Sequence, residues 1–80
     1  MAKTFYEFMQ QYKGRNTPRG DLARDMIYMQ THHLEEGDLN DIDSEYRFMC
    51  YLSAHRACDE CCAVARRCWR SYRKMLENVC

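Results

Sequence analysis

The sequence is short of the residues that interrupt helices. It has three glycines and one proline in 80 residues, too few for a linker-rich or low-complexity chain. It also lacks any sustained alternation of apolar and polar residues, which is the pattern typical of a half-buried strand. No internal repeat is visible either. These absences argue against a β fold, a repeat array and a second domain, and they favour one helical domain over residues 1–80.

Long hydrophobic runs are also lacking. The longest spans residues 48–52, whereas a membrane-spanning helix needs about 20 apolar residues. The chain begins Met1-Ala2-Lys3-Thr4 and continues into a charged amphipathic segment instead of the apolar core of a secretory signal. We therefore expect a cytoplasmic protein with no membrane partner. In a reducing compartment, the six cysteines are expected to be free thiols or metal ligands.

The formal net charge is zero, because 12 basic residues balance 12 acidic ones. This neutrality argues against a generic polyanion binder. The charges are nevertheless segregated along the chain. An acidic run without any base contains Glu35, Glu36, Asp38, Asp41, Asp43 and Glu45. A basic group follows near the end of the chain and contains Arg56, Arg66, Arg67, Arg70, Arg73 and Lys74. We take the two sets as candidate interaction faces.

The strongest pattern present lies in residues 54–76, where apolar residues recur at helical spacing for more than five turns. The pattern predicts one long amphipathic helix, with its bases on the side opposite the apolar stripe. Trp69 and Tyr72 should then face inward against the rest of the protein. The stripe consists of Cys58, Cys61, Ala65, Cys68, Trp69, Tyr72 and Leu76.

Two helix start signals predict two helices that precede this long helix in the chain. Thr4 and Glu7 form a capping box, so a first helix should begin there and end near Lys13. Thr17 before Pro18 is a second start signal, because proline is tolerated in the first turn of a helix. The second helix should run to about Gln30.

The acidic stretch over residues 35–40 contains a glycine and has no periodicity, so we expect a surface loop. A third helix should follow, capped by Asp41 or Asp43 and ending near Ser53. No glycine or proline separates it from the last helix, so one bent helix stays open as an alternative. The side chains predicted to point inward are Ile42, Tyr46, Met49 and Leu52.

Several short motifs, in the same order and at similar spacing, resemble the YozE-like family of small bacterial and phage-associated proteins. The resemblance spans about residues 3–73 and implies a compact four-helix fold like that of the sterile alpha motif (SAM-like). It also implies a cytoplasmic or mobile-element setting and a tendency to self-associate, and it supplies no catalytic residues. The chain departs from the family pattern at Ala65, at residues 32–34, and in its extra cysteines Cys50, Cys62, Cys68 and Cys80. The motifs are Phe5-Tyr6-Glu7-Phe8, Gly20-Asp21-Leu22-Ala23 after Pro18, Tyr51-Leu52, Ala57-Cys58-x-x-Cys61, Trp69 and Tyr72.

One set of side chains has the chemistry of a metal site. On a continuous helix His55, Cys58 and Cys62 would fall within roughly 60° of one another, and zinc favours thiolate and imidazole ligands. A fourth ligand would come from Cys61, His32 or His33. The usual two ligand pairs of a zinc finger are absent, however, and the resemblance to the family by itself implies that Cys58 and Cys61 are packed thiols.

We expect a non-enzymatic interaction module that binds another macromolecule, first of all a protein. The sequence has no glycine-rich phosphate loop and no paired-carboxylate motif, and His55 with Cys58 lacks an identifiable orienting group. One alternative is a zinc-binding inhibitor of a nucleic-acid-handling enzyme, of the anti-CRISPR type, whose acidic run imitates nucleic acid. Another is nucleic-acid binding by the basic face of the last helix, although no exposed aromatic residue is expected among its arginines.

Overall fold

A computed structural model of the protein describes residues 3–32 and 37–78. Single turns of 3₁₀ helix lie at Gln10–Tyr12 and at Leu39–Asp41. These two ranges contain no strand, and the predicted all-α four-helix bundle is confirmed. No helix within them is long and apolar enough to cross a membrane. The helices are α1 (Phe5–Met9), α2 (Pro18–His32), α3 (Glu45–Ala54) and α4 (Asp59–Glu77).

The two predicted helix starts are confirmed by their hydrogen bonds. The Glu7 N–H donates to Thr4 Oγ1 at 3.1 Å, and the Thr4 N–H donates to Glu7 Oε1 at 2.9 Å, which completes the capping box. At α2 the Gly20 N–H donates to Thr17 Oγ1 at 3.2 Å. Pro18 occupies the first helical position, where no N–H is needed.

Gly20 sets how closely α2 approaches the turn after α1. A Cβ atom here would lie 2.0 Å from the Arg15 carbonyl oxygen and 2.9 Å from that of Tyr12. Arg24, one turn later, donates from Nη1 to the carbonyl oxygens of Lys13 at 3.0 Å and Arg15 at 2.9 Å. The turn between α1 and α2 is therefore held by specific backbone contacts.

The start of α3 differs from the prediction. Ser44 caps the helix by accepting the Arg47 N–H at 3.2 Å, so the predicted caps Asp41 and Asp43 were wrong. Ile42 lies before the helix and therefore does not share its periodicity.

The inward face of α3 changes as a consequence. Tyr46 was predicted to point inward but is 78% exposed, whereas Phe48 is completely buried. Leu52 is buried as predicted, and Met49 is partly buried against the core. The prediction counted helical spacing from Ile42, as if the helix had already begun there. That spacing placed Tyr46 on the inward face.

The α3–α4 boundary is a helix C-cap that contains no glycine. Arg56 adopts φ 56°, the left-handed conformation that usually favours glycine. Its N–H donates to the Ser53 carbonyl at 3.1 Å, and the Ala57 N–H donates to the Leu52 carbonyl at 3.0 Å. These two bonds form a Schellman motif. The helices are therefore separate, and the last one begins at Asp59 instead of residue 54.

The core forms around α4, which packs against each of the other three helices. Trp69 and Tyr72 are buried as predicted, and so is Cys68, but Cys58 is exposed. The prediction of Cys58 as a core residue was wrong because it lies before the helix. The buried residues are Phe5, Phe8, Met9, Leu22, Ala23, Met26, Leu39, Phe48, Leu52, Val64, Ala65, Cys68, Trp69 and Tyr72.

Aromatic rings in mutual contact form part of this core, and we call Phe5, Phe48, Trp69 and Tyr72 the aromatic cluster. Phe5 stacks on Trp69 with ring centroids 4.1 Å apart, and it contacts Phe48 and Tyr72 at 5.1 and 5.5 Å. The Tyr72 hydroxyl donates to the Lys3 carbonyl oxygen. Burial, and secondarily the nearby charge of Glu7, raises the pKa of Tyr72. The buried Trp69 Nε1 has no hydrogen-bond partner among the described residues.

A side-chain clamp joins the end of α2 to the 3₁₀ turn before α3. Gln30 donates from Nε2 to Asp38 Oδ1 at 2.6 Å and accepts the Leu39 N–H at 2.9 Å. The Asn40 N–H also donates to Asp38. The backbone bond from Asn40, followed by the bond from Gln30, lowers the pKa of Asp38. The clamp holds the two segments on either side of residues 33–36 close together.

Candidate functional site

An apolar groove of about 300 Å³ lies between α2, the C-terminal half of α3 and the turn into α4. We call it the lateral groove. Its floor is part of the core, since Leu22, Met26 and Leu52 are buried. Methionines are flexible and can adapt their shape to a partner. The complete lining is Leu22, Asp25, Met26, Tyr28, Met29, Tyr51, Leu52, His55, Ala57, Cys58 and Cys61.

Rings and a second methionine form the upper edges of the lateral groove. Tyr28 is 57% exposed and contacts the ring of His32 with centroids 4.3 Å apart. Tyr51 contacts His55 at 4.6 Å. Met29 also lines the groove and is partly buried against the core. Large side chains that combine apolar surface with a polar end are common where proteins bind one another.

The lateral groove continues into a second cavity of about 270 Å³ between α2 and the first turn of α4. Three carboxylates line this extension, from Asp21, Asp25 and Glu60. Asp21 forms an ion pair with Arg24. Among the described residues, no lysine or arginine lines either cavity. The groove therefore joins an apolar floor to an acidic rim.

Two thiols stand where the groove and its extension meet. Cys58 is the N-cap of α4, and its Sγ accepts the Cys61 N–H at 3.4 Å. Cys61 is half-buried. Burial raises the pKa of Cys61, and the nearby Cys58, Cys62 and Asp25 act in the same direction because a further negative charge is disfavoured beside them.

The structure does not place the predicted metal ligands on one helix. His55 is the C-cap of α3 and Cys58 the N-cap of α4, so the predicted spacing of His55, Cys58 and Cys62 around one helix was wrong. Within the described ranges, no group of three or more histidine, cysteine, aspartate or glutamate side chains could hold a metal ion. His32 is exposed beside Tyr28, and His33 lies outside the described residues. Zinc binding stays a prediction from the sequence.

The basic set lies mostly together on the outside of α4. Arg66, Arg67, Arg70, Arg73 and Lys74 are exposed on that helix, as predicted. Arg73 forms an ion pair with Glu45, with its Nη2 3.2 Å from Oε1. Arg56 lies apart from them, in the turn between α3 and α4.

Three arginines from different parts of the chain surround a cavity of about 400 Å³ beside this basic surface. The guanidinium carbons of Arg15 and Arg19 lie 6.0 and 5.4 Å from the centre of the Tyr12 ring, within the range of cation–π attraction. Arg67 of α4 completes the set. Arg15 and Arg19 were not predicted as part of this surface, because no helical period connects the α1–α2 turn or the start of α2 to α4.

The acidic run is dispersed among local contacts. Glu35 and Glu36 lie outside the described residues. Asp38 belongs to the clamp, Asp43 lies 3.6 Å from Arg47, and Glu45 pairs with Arg73. Asp41 is exposed in the 3₁₀ turn. Several of these carboxylates therefore form hydrogen bonds or ion pairs with residues of the same protein.

No family model, curated protein or solved structure matches the chain. The resemblance to the YozE-like family therefore stays a prediction. What the fold and the site define is a small helical domain with an apolar, acid-rimmed groove on one side and a basic helix face on another.

Proposed function

We propose that the protein is a non-enzymatic interaction module whose lateral groove binds an amphipathic helical segment of another protein. The segment would place apolar side chains on the groove floor and lysine or arginine beside its rim. The observation that carries this proposal is the combination of apolar lining and carboxylates, with no lysine or arginine among the described residues that line the two cavities. A basic amphipathic helix has the matching pattern.

The dimensions of the site suit this kind of partner. Helix-in-groove recognition uses a few apolar anchors spaced three or four residues apart. A groove of about 300 Å³ with an extension of about 270 Å³ can accept such anchors in succession. Met26 and Met29 can adapt to their shape, and Asp25 and Glu60 at the rim would select cationic flanks.

Two designed peptides test the proposal. One carries leucines on one helical face and lysines on the other, and the second replaces every lysine with glutamate. Titration of the ¹⁵N-labelled protein by NMR should give shifts at Met29, Tyr51 and Ala57 with the lysine peptide and much smaller ones with the glutamate peptide. Shifts centred on α4 with the glutamate peptide, or none with either peptide, would contradict the proposal.

A pair of variants separates the groove from the general surface. Met29→Lys places a cation in the groove, so we expect the lysine peptide to bind at least about tenfold more weakly, a loss of roughly 1.4 kcal/mol. Tyr46→Lys adds the same charge at an exposed site outside the groove and serves as the matched control. Equal weakening by both variants would show that only net charge matters. Concentration-dependent shifts without peptide would instead identify a second copy of the chain as the occupant.

A second candidate function is nucleic-acid binding by the basic face of α4. Its specific support is the arrangement of Arg15, Arg19 and Arg67 beside the Tyr12 ring, since arginine with an adjacent aromatic ring suits phosphates and bases. Fluorescence anisotropy with labelled single strand and duplex at low salt tests it. Arg67→Gln should weaken binding and reduce its salt dependence, whereas Arg47→Gln on α3 should not. Unchanged anisotropy at micromolar protein would exclude this candidate.

The remaining sequence predictions are separate proposals with their own tests. Native mass spectrometry with zinc supplied tests metal binding, and light scattering tests self-association. Inhibition of a nucleic-acid-handling enzyme, together with a phage or mobile-element origin, is supported only by the acidic run and the YozE-like resemblance. The cytoplasmic location is likewise a proposal from the sequence.

A further inference from the structure

We propose that Cys58 and Cys61 form a thiol–disulfide exchange site that reacts with low-molecular-weight disulfides. Cys58 would be the attacking thiol and Cys61 the resolving thiol. The activity is distinct from partner binding in the lateral groove, and it does not depend on that proposal.

The positions of the two residues suit these roles. Cys58 is exposed, and its sulfur accepts the Cys61 N–H at 3.4 Å. The sulfur of Cys58 therefore lies over the first turn of α4, towards residue 61. Cys61 is the third residue of α4, the position whose N–H an N-cap side chain can reach. Cys58 lies before the first helical residue as the N-cap, with φ −72° and ψ 164°, so closing a bond requires a new side-chain rotamer and leaves the backbone hydrogen bonds within α4 in place.

The surrounding cavities distinguish this pair from the three other thiols in the described part of the chain. Cys58 and Cys61 both line the lateral groove and its extension, whereas Cys62 lines neither. Cys68 is completely buried, and Cys50 is exposed on α3 beside a different cavity. A small disulfide that enters the extension would therefore meet Cys58 first, with Cys61 beside it.

The exchange balances in two steps. The Cys58 thiolate attacks one sulfur of the small disulfide, forms a mixed disulfide and expels the other half as a thiolate. The Cys61 thiolate then attacks the Cys58 sulfur, forms the internal disulfide and expels the second half. The protein loses two electrons and two protons. The small disulfide gains both and leaves as two thiols.

Oxidised glutathione is the probe, applied to the reduced full chain in glutathione buffers of graded ratio. After acid quenching and alkylation of the remaining thiols, peptide mass spectrometry should find a Cys58–Cys61 disulfide in the wild type. Cys61→Ser should lose it and retain glutathione on Cys58. Cys61→Ala gives a second version of this trap, and Cys62→Ser is the matched control that should behave like the wild type.

Three results would overturn the assignment. They are glutathione retained on Cys58 in the wild type without an internal bond, loss of the internal disulfide in Cys62→Ser, and modification of Cys50 as fast as Cys58 in the Cys61 variants. Cys58→Ser keeps a hydroxyl at the N-cap and should fold. It should abolish both the internal disulfide and the glutathione adduct at this site. Circular dichroism of each variant excludes unfolding as the cause of any loss.

Discussion

The aromatic cluster and the lateral groove are built from different side chains and have different surroundings. The cluster consists of rigid rings in mutual contact, with Phe5 and Trp69 each about 2% exposed. The groove has methionine, histidine and thiol groups at its surface, beside carboxylates. Rigid buried rings contribute most to stability, whereas adaptable half-buried groups suit recognition. Stability therefore resides mainly in the aromatic cluster, and the proposed binding site lies in a separate part of this small bundle.

The largest expected effect is on the aromatic side. Phe5→Ala removes the ring that contacts all three other members of the cluster and should cost about 3–5 kcal/mol. Because small domains have little stability to spare, thermal circular dichroism should show a largely unfolded variant. Tyr28→Ala at the exposed edge of the groove should change stability by about 0.5 kcal/mol or less. Similar losses of stability in Phe5→Ala and Tyr28→Ala would show that the aromatic cluster does not contribute more to stability than the edge of the groove.

The next largest effect tests the close approach of α2. In Gly20→Ala the new methyl group would meet backbone oxygens that cannot rotate away, so we expect a loss of about 3 kcal/mol or more. Gly14→Ala is the matched control, since nothing lies within 4 Å of its added Cβ. Urea unfolding of both variants measures the difference, and equal stability would show that the turn is not held as described.

A smaller effect concerns the polar group at the edge of the aromatic cluster. Tyr72→Phe removes the hydrogen bond to the Lys3 carbonyl and should cost about 1 kcal/mol. The raised pKa of Tyr72 also gives a pH dependence. Below the usual tyrosine value of 10.0 the folded and unfolded states are both neutral at this position and the contribution is complete. Above it the unfolded state ionises first, so stability is lost as the pH rises through the raised pKa.

The measurement is the free energy of unfolding of both proteins from pH 8 to pH 11. The wild type should lose more stability than Tyr72→Phe in the alkaline part of this range. Parallel curves would show that Tyr72 is not the group responsible.

The smallest effect should be stabilising. Arg56 has a left-handed backbone, which is costly for residues other than glycine, so Arg56→Gly should relieve strain. Part of the gain is offset by the greater freedom of glycine in the unfolded chain, which leaves a net increase of about 0.5 kcal/mol. Thermal unfolding should show a higher midpoint. A clearly lower midpoint would contradict the C-cap between α3 and α4.

Local signals in the sequence predicted much of the fold. The Thr4–Glu7 capping box, the Thr17–Pro18 start and the apolar stripe around Trp69 are each determined by neighbours within one or two turns, and each is confirmed. The errors came at the boundaries of α3. Three residues close together, Ser44 and two aspartates, could each cap α3, and the cap is Ser44. At the other end, Arg56 takes the left-handed position that is usually glycine.

The candidate site was harder to predict because it depends on contacts between helices. The exposed bases of α4 followed from periodicity. The lateral groove joins residues of α2, α3 and the turn into α4, whose meeting no single helical pattern specifies. The predicted arrangement of the metal ligands around one helix was wrong for a related reason. It assumed one continuous helix through His55 and Cys58, where the chain in fact turns.

The most direct test of the proposed binding site is a set of intermolecular NOE measurements between methionine methyl groups of the protein and leucine methyls of the lysine peptide. Met29 and Met26 line the groove, whereas Met75 lies on α4 outside its lining and is an internal control. The proposal predicts NOEs to Met29, with weaker ones to Met26, and none to Met75. NOEs to Met75 without any to Met29 would show that the peptide binds elsewhere and that the groove is not the binding site.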